Sequence, residues 1–317
     1  VAADPFGKYS PPIDVSIVHS TIDSDVKYPE GETAEDNIWT RTYADELGIN
    51  LKVMWAGPSE QSWQKINLMI ASNELPDIMT VDANQFNTLV QGNKLLDLKD
   101  VYDKYATPFL KEQLNSDGGR ALQSCTIDGK LYAIPTYLDP TENAFMLYVR
   151  TDWLEKLNLP EPKTIDDFYT ISHAFTTQDP DGNNVDDTPG FGMSGDLWAH
   201  ASPFFNAYGA YPGFHQLMDF PRQWIKDSSA KLVSGLVQPE MKTALLELQK
   251  LYQRGDIDTE YALIDYDKLS ELIASGKIGM IFGVWWYPTW PLQGSKDKDP
   301  NAEWKAFPIP SATGSPA

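Results

Sequence analysis

IDVSIVHS at residues 13–20, NLKVMW at 50–55 and DIMTV at 77–81 are short apolar runs, each reading as a buried strand. Between the first two, Asp36–Leu47 predicts a helix with Ile38, Thr42 and Leu47 on one side and Gly48 as its stop. Between the second and third, residues 62–72 predict a helix with Ile66, Met69 and Ile70 at core spacing. Another helix begins at Gln85–Val90. Strand, helix, strand, helix, strand in so short a span is the pattern of a parallel α/β sheet with right-handed crossovers. Ligands of such sheets bind beyond the carboxyl ends of the strands. Those ends are His19-Ser20-Thr21 and Asp82–Asn84. Two roles are open to Asp82: touching a ligand, or capping the following helix by accepting its free backbone N–H groups.

Outward from this core, residues 95–117 turn helical and polar as far as Gly118-Gly119. Asp128-Gly129 is a hairpin signal between Thr126-Ile127 and Leu131-Tyr132. Phe145–Val149 predicts a strand running into a helix at Thr151–Leu157, and the α/β rhythm restarts there. The expected organisation is therefore lobe 1 over 1–140, lobe 2 over 141–284, and a return towards lobe 1 over 285–317. Thr164-Ile-Asp-Asp167 resembles a capping box with Asp in place of Glu. Residues 203–211 predict an aromatic helix, and WIKDSSAKLV a short hairpin. Pro239 at a helix N1 position opens an amphipathic helix with Met241, Ala244, Leu245, Leu248, Leu251 and Tyr252 as its stripe and Gly255 as its end.

Residues 275–291, SGKIGMIFGVWWYPTWP, begin as a strand in which Ile278, Met280 and Phe282 alternate with Gly279, Ile281 and Gly283. Both faces are thus apolar or small, as in a doubly buried strand. The run breaks into Trp285, Trp286, Tyr287 and Trp290, interrupted by Pro288 and Pro291, which cannot continue a ladder. So many rings at a strand end are hard to bury together, and the favoured reading is an aromatic platform for a ligand rather than a core corner. Neighbours on a strand point to opposite faces, so one of Trp285 and Trp286 is expected to face the ligand, Trp285 first.

Composition narrows the partners. The formal charge of −20 argues against nucleic acid and against an anionic membrane surface. No apolar run reaches the ~20 residues of a spanning helix. Cys125 is the only cysteine and the four His are scattered, which disfavours disulfides, cysteine-built zinc sites and histidine-based catalysis. The excess is aromatic: 12% of the chain, with ten tryptophans. The opening VAADPFGKYSPP reads as a polar leader entering a domain, and the expectation is a mature or trimmed chain.

DPDGNNVDDTPG at 179–190 carries the sharpest chemical signal. Asp179, Asp181, Asn183 and Asp187 fall at positions 1, 3, 5 and 9 of a calcium loop, with the carbonyl of Val185 at 7. A hard cation suits an oxygen at every second position. Unlike an EF-hand, the loop has Gly at position 4 rather than 6, so Asn184 takes the left-handed turn. Position 12 is Gly190, so the bidentate Glu is absent. The expectation is an EF-hand-like structural Ca2+ site, against a metal-free surface turn. GFGMSG at 190–195 matches a dinucleotide fingerprint only formally, because its strand and helix context is wrong. Trp198 beyond it reads equally as a platform ring or a core ring.

Three segments, in order, carry a resemblance. They are LPDIMTVDANQFNTLVQGNKLLDL, DGKLYAIPTYLDPTENAFMLYVRTDWLEKLNL and SGKIGMIFGVWW, with DPFGKYSPPIDVSI at the start. Together they resemble the type 1 family of extracellular solute-binding proteins of carbohydrate ABC transporters, in its larger lipoprotein-like branch from Gram-positive bacteria. The resemblance implies a two-lobed α/β periplasmic-binding-protein-like fold closing over an oligosaccharide in a cleft between the lobes. Carried onto this chain, it points to Trp285 as a sugar-stacking ring, Asp82 as a hydroxyl acceptor, and Tyr137 and Asn143 in the inter-lobe loop. It also implies no catalysis, a monomer serving ABC permease subunits, and a cell-surface location through a lipid on a cysteine upstream of this chain. Members of this branch usually continue well past PIPSATGSPA, so the expected fold lacks their C-terminal part. The rival readings are a glycan-active hydrolase or lyase using Asp139 and Glu142, and a binder of a non-carbohydrate ligand on the same fold.

Overall fold

The computed structural model describes residues 6–19, 28–57, 59–136, 144–213, 223–227 and 229–315. Two compact units, 1–137 and 138–317, divide the chain.

In the first unit β1 (Ile13–His19) pairs in parallel with β2 (Ile49–Ala56), Ile13 opposite Ile49 and His19 opposite Ala56. The connection runs through α1 (Ile38–Thr42), continues helical to Leu47 and stops at Gly48, whose φ is 65°. A Cβ there would stand 2.5 Å from the Tyr9 carbonyl oxygen, so only glycine closes this turn. The expected inner face of α1 is absent: Ile38 and Trp39 are exposed, and the helix is held by the Asn37–Thr40 capping box instead. α2 (Ser59–Ser72) does bury Ile66 and Met69.

The third expected strand is reduced to one parallel bridge, Ile17 to Ile78. Side chains replace the ladder here. The Asp77 carboxylate accepts the Ser16 amide (2.7 Å) and hydroxyl (2.6 Å), and the Asp77 amide donates back to Ser16 Oγ. The chain then leaves for α3 (Ala83–Gln91), which buries Phe86 and Leu89. α4 (Lys99–Tyr105), α5 (Pro108–Asn115) and α6 (Arg120–Ser124) follow. The hairpin β3 (Thr126–Ile127) and β4 (Lys130–Leu131) closes through Asp128 and Gly129, both at positive φ, as that dipeptide requires.

In the second unit β5 (Met146–Arg150) leads into α7 (Thr151–Lys156) and α8 (Ile165–Thr177). The Thr164–Asp167 capping box is made in both directions. Next come α9 (Leu197–Ala207), the hairpin β6 (Trp224–Lys226) and β7 (Leu232–Ser234), and α10 (Pro239–Gln253) with Pro239 at its N1 end. α10 buries Met241, Ala244, Leu248 and Leu251, but Leu245 and Tyr252 lie towards solvent. Then α11 (Tyr266–Ala274), β8 (Met280–Gly283), α12 (Leu292–Lys298) and β9 (Trp304–Phe307) complete the described elements.

The sheet here is antiparallel, in the order β8-β5-β9. β9 pairs with β5, so residues 304–307 belong to the second unit. β8 is buried on both faces. Met280 and Phe282 join the main core with Phe168, Phe175, Phe191, Phe204 and Phe205, while Ile281 joins a second cluster with Leu269, Ile273 and Tyr287. Full burial of each such ring contributes about 2–3 kcal/mol. The small residues are required by contact: a Cβ on Gly279 would stand 2.4 Å from the Trp153 ring, and one on Gly283 2.1 Å from Tyr287.

Candidate functional site: an aromatic turn and an acidic loop

Beyond Gly283 the chain folds into consecutive tight turns. The Tyr287 amide donates to Val284 O, those of Thr289 and Trp290 to Trp286 O, and that of Leu292 to Tyr287 O. Pro288 and Pro291 have no N–H to give, so these turns cannot extend into a strand. Coiling places Trp286 and Trp290 side by side, ring centroids 6.0 Å apart and nearly parallel.

The series continues through other elements. Trp290 meets Tyr266 at the start of α11 (5.1 Å), and Tyr266 stacks on His200 of α9 (5.7 Å). On the other side Trp286 meets Tyr287 (4.9 Å), which stacks on Tyr148 of β5 (5.9 Å). Trp285 stands outside this series and is 57% exposed, and Trp290 is 44% exposed. The Trp285–Trp286 pair thus sits in a turn, not on a strand, and turn geometry rather than strand alternation separates their surroundings.

The wall is electrically neutral. Burial raises Tyr266, with the adjoining Tyr287 adding to it, and burial alone raises Tyr148. Burial also pushes Tyr287 up to about 12. These phenols keep their protons, and that of Tyr148 is donated to Val284 O at 3.0 Å. His200, buried against Ser194 Oγ at 2.8 Å, is held down to about 4 and is neutral too. Exposed indoles beside uncharged, buried rings suit a ligand with C–H faces and neutral hydroxyls.

The other expected site residues distribute unevenly. Asp82 is the N-cap of α3: its Oδ1 accepts the amides of Asn84 (2.7 Å) and Gln85 (2.8 Å), and Gln85 Oε1 accepts the Asp82 amide. Trp198 is half-buried against the main core, 6.0 Å from Phe205. Tyr137 and Asn143 lie outside the described residues, as do Asp139 and Glu142. Trp290 belongs to the aromatic run read from the sequence, whereas Tyr266 and His200 join that run only through packing. Trp290 is four residues from Trp286, a spacing visible in the sequence, whereas nothing local marks Tyr266 or His200.

In the acidic loop, Asn184 takes the left-handed conformation expected of it (φ 61°). Asp179 turns its carboxylate back on the loop, with Oδ1 accepting the amides of Gly182 and Asn183 and Oδ2 that of Asn184. Asn183 Nδ2 donates to Asp181 Oδ2 (2.7 Å) and Asp187 Oδ1 (3.1 Å). Lys277 Nζ also reaches Asp181 Oδ2 (3.2 Å) and Asp187 Oδ2 (2.6 Å). Val185 lies beside them, its amide donating to Asn183 Oδ1. Oxygen donors are at hand for a hard cation, yet among the described residues no group of three acidic, His or Cys side chains converges as a metal cage. Past the loop, Gly192 explains part of GFGMSG: its amide bonds Met280 O, and a Cβ would meet Ile278 at 2.8 Å.

Known proteins are similar to this chain in sequence and fold. The chain is 28% identical over 235 residues to the polygalacturonan/rhamnogalacturonan-binding protein YtcQ of Bacillus subtilis, covering 74% of this chain and 44% of YtcQ. It superposes on a structure of the substrate-binding protein FusA from S. pneumoniae in complex with kestose, with a TM-score of 0.72, 21% identity, and 96% and 60% of the two chains covered. An EF-hand mutant of FusA in complex with fructo-nystose gives 0.71 at 20% identity, covering 96% and 60%. The chain therefore spans under half of the curated relative and about three-fifths of these structures, whose two-lobed solute-binding fold it shares. The family model described as bacterial extracellular solute-binding protein matches residues 27–317, and the chain belongs to that family.

Proposed function

We propose that this chain is the oligosaccharide-capturing component of an ABC importer, with the turn at 284–292 as its stacking wall. The observation that carries this is the exposure of Trp285 and Trp290 beside a braced, uncharged series of rings. A pyranose or furanose packs its C–H face on an indole, and hydroxyls around its rim seek carboxylates, amides and phenols. Asp82, Tyr137 and Asn143 are the proposed polar partners, with Trp286 and Trp198 as further rings. Asp82 can serve while capping α3, because a carboxylate has about four lone-pair sites. The named relatives of this family bind glycans, which supports the substrate class.

The same reading includes a structural Ca2+ held by Asp179, Asp181, Asn183, Asp187 and the Val185 carbonyl. The oxygen-rich loop and the EF-hand of FusA support it. Calcium there would supply charge neutralisation and cross-link the loop, not chemistry on the ligand. We further assign the protein to the extracellular face of the cell, monomeric, lipid-anchored, and delivering its sugar to a membrane permease. Calorimetry against a panel of oligosaccharides, with the recovered glycans analysed afterwards, tests the proposal. Saturable binding with unaltered glycan supports it; turnover, or no binding across the panel, overturns it.

A further inference from the structure

We infer that Lys277 is a built-in competitor for the acidic loop, its ammonium standing between Asp181 and Asp187 where a bound calcium ion would draw the same carboxylates. This inference rests on the calcium reading above. Two of the proposed ligand carboxylates are already joined through Lys277 Nζ, at 3.2 Å and 2.6 Å, and Asn183 Nδ2 takes an oxygen of each. A cation taking the Oδ2 atoms that face Lys277 competes with the ammonium for them and must turn the Asn183 amide, since ammonium and N–H groups donate and cannot ligate.

The lysine is presented by a fixed backbone. Gly276, at φ 76°, ends α11, and the Lys277 amide donates to Leu272 O at 2.9 Å. Ile278, the next residue, is buried in the second cluster. The ammonium is one-quarter exposed, and the two carboxylates 19% and 36%. Partial burial lowers Lys277, but the hydrogen bonds to Asp187 and Asp181 outweigh this and hold it above its ordinary value. On the solvent side Asp181 borders a groove of about 400 Å³ and Asp187 another of about 460 Å³, so an ion has a route in.

A second lysine behaves differently. Lys156 Nζ donates to the carbonyl oxygens of Asp179 and Pro180, not to a carboxylate of the loop. Lys156 positions the loop's backbone, whereas Lys277 compensates its charge. That contrast separates direct competition from a general effect of nearby positive charge.

The test is calcium titration by calorimetry of the wild type, Lys277→Met, Lys277→Gln, Lys277→Arg and Lys156→Met, at low ionic strength where screening is weak. Removing a partly exposed ammonium that pairs with two carboxylates is expected to tighten calcium binding about tenfold. Lys277→Gln supplies the same comparison should Lys277→Met fold poorly. Lys277→Arg should stay near the wild type, and Lys156→Met should gain much less than Lys277→Met. The metal-free melting temperature of Lys277→Met should fall while its rise on adding calcium grows. Equal calcium affinity in the wild type and both neutral variants overturns the inference while leaving the calcium reading standing. So does an equal gain in Lys156→Met. No calcium binding in any form overturns the calcium reading itself.

Discussion

Replacing Trp285 by alanine isolates the stacking wall, because this ring contributes little to the fold. Its 57% exposure leaves somewhat over half of the residue open to a ligand. An aromatic side chain buries roughly 150–250 Å² when covered. The open part therefore amounts to about 85–140 Å², or roughly 2–3.5 kcal/mol at ~25 cal/mol per Å² if a ligand covers all of it. A sugar on one face realises about half. At ~1.4 kcal/mol per tenfold, Kd for the cognate glycan should rise between about tenfold and a hundredfold. Stability should move by no more than ~0.5 kcal/mol, the usual scale for an exposed position. Calorimetry gives the first quantity and urea unfolding the second. Unchanged glycan affinity refutes the stacking role. A variant that unfolds at clearly lower urea shows the ring to be core and refutes the exposure argument.

Gly283→Ala should destabilise by about 1–3 kcal/mol, since the new methyl would overlap the buried Tyr287 ring at 2.1 Å. Because Tyr287 braces Trp286, glycan affinity should fall with it; a urea midpoint equal to the wild type would contradict the packing described. Stability should also depend on pH through His200, whose pKa is about 4 when folded against 6.5 ordinarily. The unfolded chain takes this proton more readily, so the contribution is complete above ~6.5 and is lost as pH falls to ~4, by roughly 3 kcal/mol. His200→Gln should flatten that part of the stability profile, and parallel profiles would discount the assignment. Chelation should lower the melting temperature of the wild type but not of Asp181→Ala. Loss of a site held at a hundredfold excess over Kd removes about 2.7 kcal/mol, and a wild-type melt indifferent to chelator counts against calcium.

Features whose cause lies within a few residues were legible without the fold. The Asp128-Gly129 hairpin, the Thr164–Asp167 capping box, Pro239 at N1, the left-handed Asn184 and the doubly apolar β8 all appear as read. In each, the local chain alone supplies the steric or hydrogen-bonding reason. What pairing partner a strand finds is not local. DIMTV has strand composition, yet Asp77 spends its bonds on Ser16 and leaves a single bridge. The α/β rhythm of the second half conceals an antiparallel sheet whose third strand comes from residues 304–307. The aromatic turn divides the same way. Its excess of rings and its prolines are written in residues 275–291, but the bracing by Tyr266, His200 and Tyr148 comes from α11, α9 and β5. Only tertiary packing brings rings so distant in sequence within 6 Å of their neighbours, and that contact decides which indoles are buttressed and which is left facing solvent.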